Sequence, residues 1–289
     1  VVDDITLRRL WEMLTLTAEQ DEDGGEVWSA PDQPVPDDRV FGGLLLAQAV
    51  VVAGQGMAKG VAPLSLQADF LAGVPVTGRN RWRATTLGEA PSMVSRRVAL
   101  VADDGAELFT ATVRLGRVRE DLPSYADLAP RRVAGPDGLV DLATRYGGDE
   151  RIPVWWRIPR PVDLRHVEEP TFLEPSPERS SEQSLWWRLR GELADDPLRI
   201  AAVIAYVSDM SLVEPAFRST GTSRHVAGSR ILSLTHTMTF HDLPDLVDWV
   251  QMDVAVRRVA HGRALGAGEV FTGGRHVASL GQLALVKLA

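Results

Sequence analysis

The chain has 289 residues, 45% apolar and 24% charged, which is close to the average for folded globular proteins and fits neither a disordered nor a fibrous class. Its 31 basic residues against 39 acidic ones leave a net charge of −8, which opposes general attraction to nucleic acid or an anionic membrane. The absence of cysteine excludes disulfides, thiolate metal sites and a cysteine nucleophile.

The opening Val1-Val2-Asp3-Asp4 is acidic and lacks the basic and apolar regions of a signal peptide, so a cytoplasmic location is expected. Segment 44–53, apolar apart from Gln48, predicts a helix that is apolar all round and must be covered on nearly every side. At ten residues it is far short of the roughly 20 that a spanning helix needs. Gly54 and Gly56 suit its C-terminal end. Strand-like segments follow around Leu64-Ser65-Leu66 and over 80–87, 94–101 and 109–115. Residues 120–180 then hold nine of the chain's 18 prolines. They read as a linker that also delivers two opening strands of a second unit, 162–166 and 185–189. Two tryptophan pairs, Trp155-Trp156 and Trp186-Trp187, suggest packing between the units in preference to ligand stacking.

A second apolar helix is predicted around 200–207, and Asp209 stands at its end. A carboxylate there would be enclosed, which raises its pKa toward the range of a general base, although a capping role in the following turn, to which Ser208 is also suited, is the more ordinary explanation. Ser233 lies on a strand that sets Ser233, Thr235, Thr237 and Thr239 against Leu232, Leu234, His236, Met238 and Phe240. A row of hydroxyls on one face is also what an ordinary threonine-rich strand shows. Strand 247–256 alternates Val250, Met252, Val254 and Val256 with Gln251, Asp253, Ala255 and Arg257, as a sheet packed on one face requires. Further strands are expected over 263–272 and 278–285. Gln282 shares a face with Ala278, Leu280 and Ala284, where its amide needs partners, whether as a satisfied core residue or as part of a site.

Taken together, the same order of elements occurs twice, over 41–117 and 199–288, with Leu64-Ser65-Leu66 and Leu232-Ser233-Leu234 168 residues apart. A wholly apolar helix with an antiparallel sheet curling around it is the hotdog arrangement, and two copies give an α+β double hotdog. The expected division is an N-terminal unit over 1–118, a Pro-rich linker over 119–158 and a C-terminal unit over 159–289. There is no G-x-S-x-G elbow, P-loop or G-x-G-x-x-G. His236 and His241 are five apart across a strand end and point to opposite faces, so neither a metal nor an organic cofactor is expected.

Five motifs in order carry a resemblance. They are Val40-Phe41-Gly42-Gly43 with Gln48-Ala49; Ser95-Arg96-Arg97-Val98; Ser208-Asp209; the run from Ser233 to His241; and Val277-Ala278-Ser279 with Gln282. On these the chain resembles the acyl-CoA thioesterase II family across both repeats. The resemblance implies a double hotdog that hydrolyses acyl-CoA to free CoA and a carboxylic acid. It also implies that Asp209, Ser233 and Gln282 bind and activate the attacking water. Leu44 and Thr235 depart from the family's usual Gln and Asp, and the first-unit strand 64–73 lacks its histidines and Arg-Pro-Gly. Gly42 and Gly43, at a helix start, are candidate donors to the developing oxyanion. Rival readings are an acyl-CoA hydratase or dehydratase, which needs an Asp and His pair, and an acyl-CoA-binding module without catalysis. A homo-oligomer is expected by analogy with other hotdog proteins.

Overall fold

The computed structural model describes residues 6–20, 25–33, 39–119, 121–193, 196–225, 228–246 and 248–288. The acidic opening 1–4, the Trp155 side chain and Val247, the expected start of one strand, lie outside them. The first half runs α1 (Leu7–Met13), β1 (Thr17–Gln20), β2 (Glu26–Pro31), α2 (Gly42–Ala53), β3 (Val61–Phe70), β4 (Arg79–Ala90), β5 (Met93–Val101) and β6 (Glu107–Arg117). After α3 (Leu142–Tyr146) and α4 (Val154–Arg157), the second half runs β7 (Val162–His166), β8 (Glu182–Leu189), α5 (Pro197–Ser208), α6 (Pro215–Thr220), β9 (Arg230–Phe240), β10 (Val250–Ala260), β11 (Arg263–Thr272) and β12 (Arg275–Lys287).

The strands form one antiparallel sheet in the order β1-β2-β4-β5-β6-β3-β9-β12-β11-β10-β8-β7. Read outward from its middle, the order in one half matches that in the other strand for strand. The halves join where β3 pairs with β9, and there Ala68 faces His236, 168 residues on, so the pseudo-twofold axis passes through that pair.

The two long helices fill the concave side of the sheet. Every residue of α2 from Gly43 to Ala53 is buried, as is every residue of α5 from Ile200 to Ser208, which follows from their lack of a polar face. The exception in α2, Gln48, is fully satisfied. Its amide donates to Met13 O (2.8 Å) and Pro31 O (2.9 Å) and accepts from Asn80 (2.8 Å) and Trp82 (3.1 Å), so it ties α2 to the edge of the first half. The buried Arg96 caps the other end of α2 through Ala53 O and Gln55 O and pairs with Glu26.

The helices lie antiparallel and very close. A Cβ on Gly43 would stand 2.2 Å from Tyr206 O, and one on Gly54 would stand 2.5 Å from Leu198, so the start of α2 meets the end of α5 and the reverse.

The Pro-rich segment is pinned across the outer face of the second half. Arg131 N donates to Asp253 (2.8 Å), Gln251 donates to Arg131 O (2.9 Å) and Trp186 donates to Ala134 O (2.8 Å). The described side chains of these pairs, Trp156, Trp186 and Trp187, therefore do not pack between the units. Trp187 is in the core of the second half, Trp186 holds the strap, and Trp156 lies edge-on to Phe172 at 4.9 Å. The apolar stripe of an edge-ward strand and the need to cover it outweighed contact between halves.

Gly43→Ala should destabilise the fold by about 2 kcal/mol or more, because the clash is with backbone and must be relieved by parting the helices. Gly54→Ala meets only the flexible Leu198 and should lose less. Chemical unfolding of the two variants checks this order.

Candidate active site

Three elements converge where α5 ends against the start of α2. Asp209 is the C-cap of α5, with φ −85° and ψ −1°. Its Oδ1 accepts from Gln282 Nε2 (2.5 Å) on β12 and from Ser233 Oγ (3.3 Å) on β9, and Gln282 Nε2 also donates to Ser233 Oγ (2.8 Å). The three residues singled out in the sequence are thus mutually bonded, although 73 positions separate Asp209 from Gln282.

Ser233 reaches this point by an irregularity that strict alternation does not foretell. Between β9 and β12, Thr235 pairs with Leu283 but Ser233 pairs with Ala284, so Leu234 is an extra residue. This bulge turns Ser233 off the face it would share with Thr235, Thr237 and Thr239 and onto the inner face beside Gln282. Thr237 and Thr239 are exposed, whereas His236 and Met238 are buried. The continuous hydroxyl row expected of this strand is therefore broken at the bulge. Gln282 does share its inward face with Ala278, Leu280 and Ala284, all buried.

The start of the other helix completes the surroundings of Asp209. The N-cap of α2, Phe41, makes no side-chain cap bond, and Asp209 takes the role by accepting from Gly43 N–H. A Cβ on Gly42 would stand 2.5 Å from Asp209 Oδ2 and 3.0 Å from Phe70, so only glycine admits the carboxylate here. The Gly43 N–H is thus one of the groups that favour the charged form of Asp209.

The carboxylate is hard to ionise in this setting. Its side chain is 8% exposed, and burial pushes its pKa up to about 6 against the opposing pull of Gln282, Arg224, Ser233 and Gly43 N–H. His236 lies alongside, fully buried and held down at about 3 by that burial, so it is neutral. Ser208 donates to Ala205 O (2.8 Å), which leaves its oxygen to accept from His236 Nε2 (3.0 Å). The lone pair of His236 is then on Nδ1, 4.0 Å from Asp209 Oδ1. Gln282 Oε1 is buried and has no partner among the described residues.

The pseudo-symmetric position, where α2 ends against the start of α5, is built differently. Its C-cap is Gly54 where α5 has Asp209, and Leu198 occupies the adjoining space. Among the described residues there is therefore one such centre. Among the described residues, no three His, Asp or Glu side chains are grouped to hold a metal ion. His241, on the opposite face from His236, bonds Ser279 at 2.9 Å and lies against His276. Sequence reasoning missed Arg224, whose charge acts on Asp209 from a loop with no periodicity to reveal it.

Comparison with known proteins gives matches of two kinds. A family model described as the acyl-CoA thioesterase C-terminal domain matches residues 136–286, and one described as the acyl-CoA thioesterase N-terminal domain matches residues 31–116. Among solved structures, the tesB protein of Mycobacterium avium subs paratuberculosis is 24% identical, covers 98% of this chain and 99% of its own, and superposes with a TM-score of 0.76. The acyl-CoA thioesterase II TesB2 of Mycobacterium marinum is 25% identical over 97% of this chain and 98% of its own, with a TM-score of 0.73. A hot dog fold protein of unknown function from Alicyclobacillus acidocaldarius is 18% identical over 97% and 98%, with a TM-score of 0.75. No curated protein matches. The fold is the double hotdog.

The raised pKa of Asp209 has a consequence for stability. The folded state holds this proton more tightly than the unfolded chain, so stability falls as pH rises from about 3.8 through about 6 and is lower by up to about 3 kcal/mol above that. Asp209→Asn, which stays neutral, should raise the melting temperature at pH 7 to 8, with a gain that vanishes toward pH 4. Thermal unfolding across that range checks the sign.

Proposed function

The chain belongs to the acyl-CoA thioesterase family and hydrolyses acyl-CoA thioesters, and we propose that it does so with a water activated by Asp209 and oriented by Ser233 and Gln282. The observation that carries the assignment is the mutual bonding of these three enclosed side chains around Asp209 Oδ1. Ser233 and Gln282 fix the carboxylate, and the second amide atom, Gln282 Oε1, is a buried acceptor with no protein partner among the described residues. In this reading a water donates one hydrogen to Asp209 and the other to Gln282 Oε1, which aims its lone pair at the thioester carbon.

Attack forms the bond between water oxygen and carbonyl carbon while the proton passes to Asp209 and the carbonyl electrons move onto oxygen. Collapse of this intermediate breaks the C–S bond, and the CoA thiolate takes the proton back from Asp209. A base with a pKa of about 6 is mostly ionised at neutral pH and still basic enough to accept the proton. The hydratase and dehydratase reading finds less support, because such chemistry needs a histidine able to exchange a proton and His236 is held neutral with its N–H committed to Ser208. An acyl-CoA-binding module without turnover is disfavoured by family membership and by the retained trio.

We take 1–118 and 159–289 as the two units, with 119–158 as the linker and the trio carried by the second unit. The reading extends to a cytoplasmic enzyme of lipid metabolism that forms homo-oligomers through its sheets, by analogy with other hotdog proteins. Among the described residues no helix is long and apolar enough to cross a membrane.

Asp209→Asn should lower kcat by roughly two to four orders of magnitude, the range expected for loss of a general base. Ser233→Ala and Gln282→Ala should lower it less, with acyl-CoA binding kept in all three. In the wild type, kcat/KM should rise with pH through about 6 as Asp209 loses its proton, and steady-state assays of CoA release across pH 4.5 to 8 check this.

A further inference from the structure

Beyond the trio around Asp209, the second half holds a second polar region in which two guanidinium groups stack on one indole. Phe172, fully buried, is ringed by Trp156 (4.9 Å between centroids), Tyr146 (5.6 Å), His225 (5.6 Å) and His166 (5.9 Å). The guanidinium of Arg224 lies over Trp156 at 4.9 Å and over Phe172 at 5.7 Å, and that of Arg160 lies over the same indole at 4.8 Å. The region adjoins the catalytic turn, since His166 contacts Ser211 and Glu214, two and five residues after Asp209, at 3.3 Å each.

Arg224 is held in place by its backbone, which donates to Thr171 O at 2.8 Å, while its side chain makes no ion pair and no hydrogen bond among the described residues. The charged groups around it are otherwise engaged or set back. Glu214 accepts from Thr171 N (2.7 Å) and Thr171 Oγ1 (3.1 Å) and faces His166, and Asp209 is bonded to Gln282 and Ser233. His225 is neutral, held down at about 4 by burial and by Arg224 beside it. Two fully buried hydroxyls, Ser223 Oγ next to Arg224 and Tyr206 Oη three residues before Asp209, have no partner among the described residues. Burial keeps that of Tyr206 protonated, as a donor. A planar cation stacked on aromatic faces with its N–H groups uncommitted is the arrangement that grips a carboxylate through paired charge-assisted bonds.

We infer that Arg224, framed by Trp156 and Phe172, is an anion subsite for a carboxylate at the far end of the acyl group, so that the enzyme prefers short acyl-CoAs whose acyl chain ends in a carboxylate. The inference rests on the Asp209 centre being the place of thioester hydrolysis. The phosphates of CoA are the other source of anionic oxygen, but the pantetheine arm holds them far from the thioester, whereas Arg224 is near enough for its charge to act on Asp209.

The test compares glutaryl-CoA with pentanoyl-CoA, and succinyl-CoA with butanoyl-CoA, pairs that share CoA and chain length and differ in the terminal carboxylate. The wild type should favour the charged member of each pair, and Arg224→Met should lower the ratio of kcat/KM for the charged over the uncharged member by about 100-fold, as expected for loss of a charge-assisted contact; removing the Arg224 charge also raises the pKa of Asp209, but that acts on both members alike and cancels in the ratio. Retained turnover of pentanoyl-CoA shows that the variant is folded. A wild type that favours the uncharged members, or a variant that loses both equally as a phosphate contact would require, overturns the subsite. Calorimetric binding of glutaryl-CoA and pentanoyl-CoA to Asp209→Asn separates the two readings. Preferential binding of glutaryl-CoA supports the subsite even if this variant still turns over and the assignment of Asp209 as base fails, and equal binding overturns it.

Discussion

The contact on which this structure turns is the one between the start of α2 and the end of α5. Gly43 lets the two helices approach until backbone meets backbone at Tyr206, and its N–H donates to Asp209 on the other helix. A helix from one half thus caps itself with a carboxylate from the other, and the macrodipole of α2 supplies a favourable field where Asp209 most needs it. Any side chain at Gly42 or Gly43 would displace the carboxylate or part the helices. The packing of the halves and the placing of the candidate base are therefore a single constraint.

The same enclosure sets the ionisation of the proposed base. Burial raises the pKa of Asp209, and Gln282, the charge of Arg224, Ser233 and the Gly43 N–H partly restore the charged form, so that its pKa settles at about 6. The pseudo-symmetric end of the helix pair shows what is lost without this arrangement. Gly54 replaces the carboxylate, Leu198 fills the space and Arg96 satisfies the helix carbonyls, giving a structural helix end with no base. The two halves give two similar frames, and only one carries the polar set.

Much of this was legible in the sequence because it rests on local patterns. Two helices without a polar face demand cover on every side, and the repeated strand order points to two copies of one frame. The trio could be named from motif positions, and Gln282 on an apolar strand face is visible by alternation alone. Other features depend on geometry that no spacing encodes. The bulge at Leu234 that turns Ser233 inward breaks the alternation used to read the strand. The strands β1 and β2 at the edge of the first half are short, and the pairing of β1 to β2 and of β2 to β4 gives no sequence signal strong enough to place them. Gly42 and Gly43 read as possible oxyanion donors, but the fate of the Gly43 N–H depended on where a carboxylate more than 160 residues later would fall. Arg224 lies in a loop and acquires meaning only through the aromatic rings that fold against it.

Asp209 is an enclosed carboxylate whose ionisation is tuned by Gln282, the charge of Arg224, Ser233 and the start of the opposite helix. Direct titration of its carboxyl carbon by NMR in the resting enzyme, assigned by the signal lost in Asp209→Asn, tests this without relying on turnover. A midpoint at about 6 is expected, and it should move upward when Gln282 is replaced by Ala, because a bond favouring the charged form is removed. A midpoint near 3.8, the ordinary value for an aspartate, or one indifferent to Gln282, would contradict it.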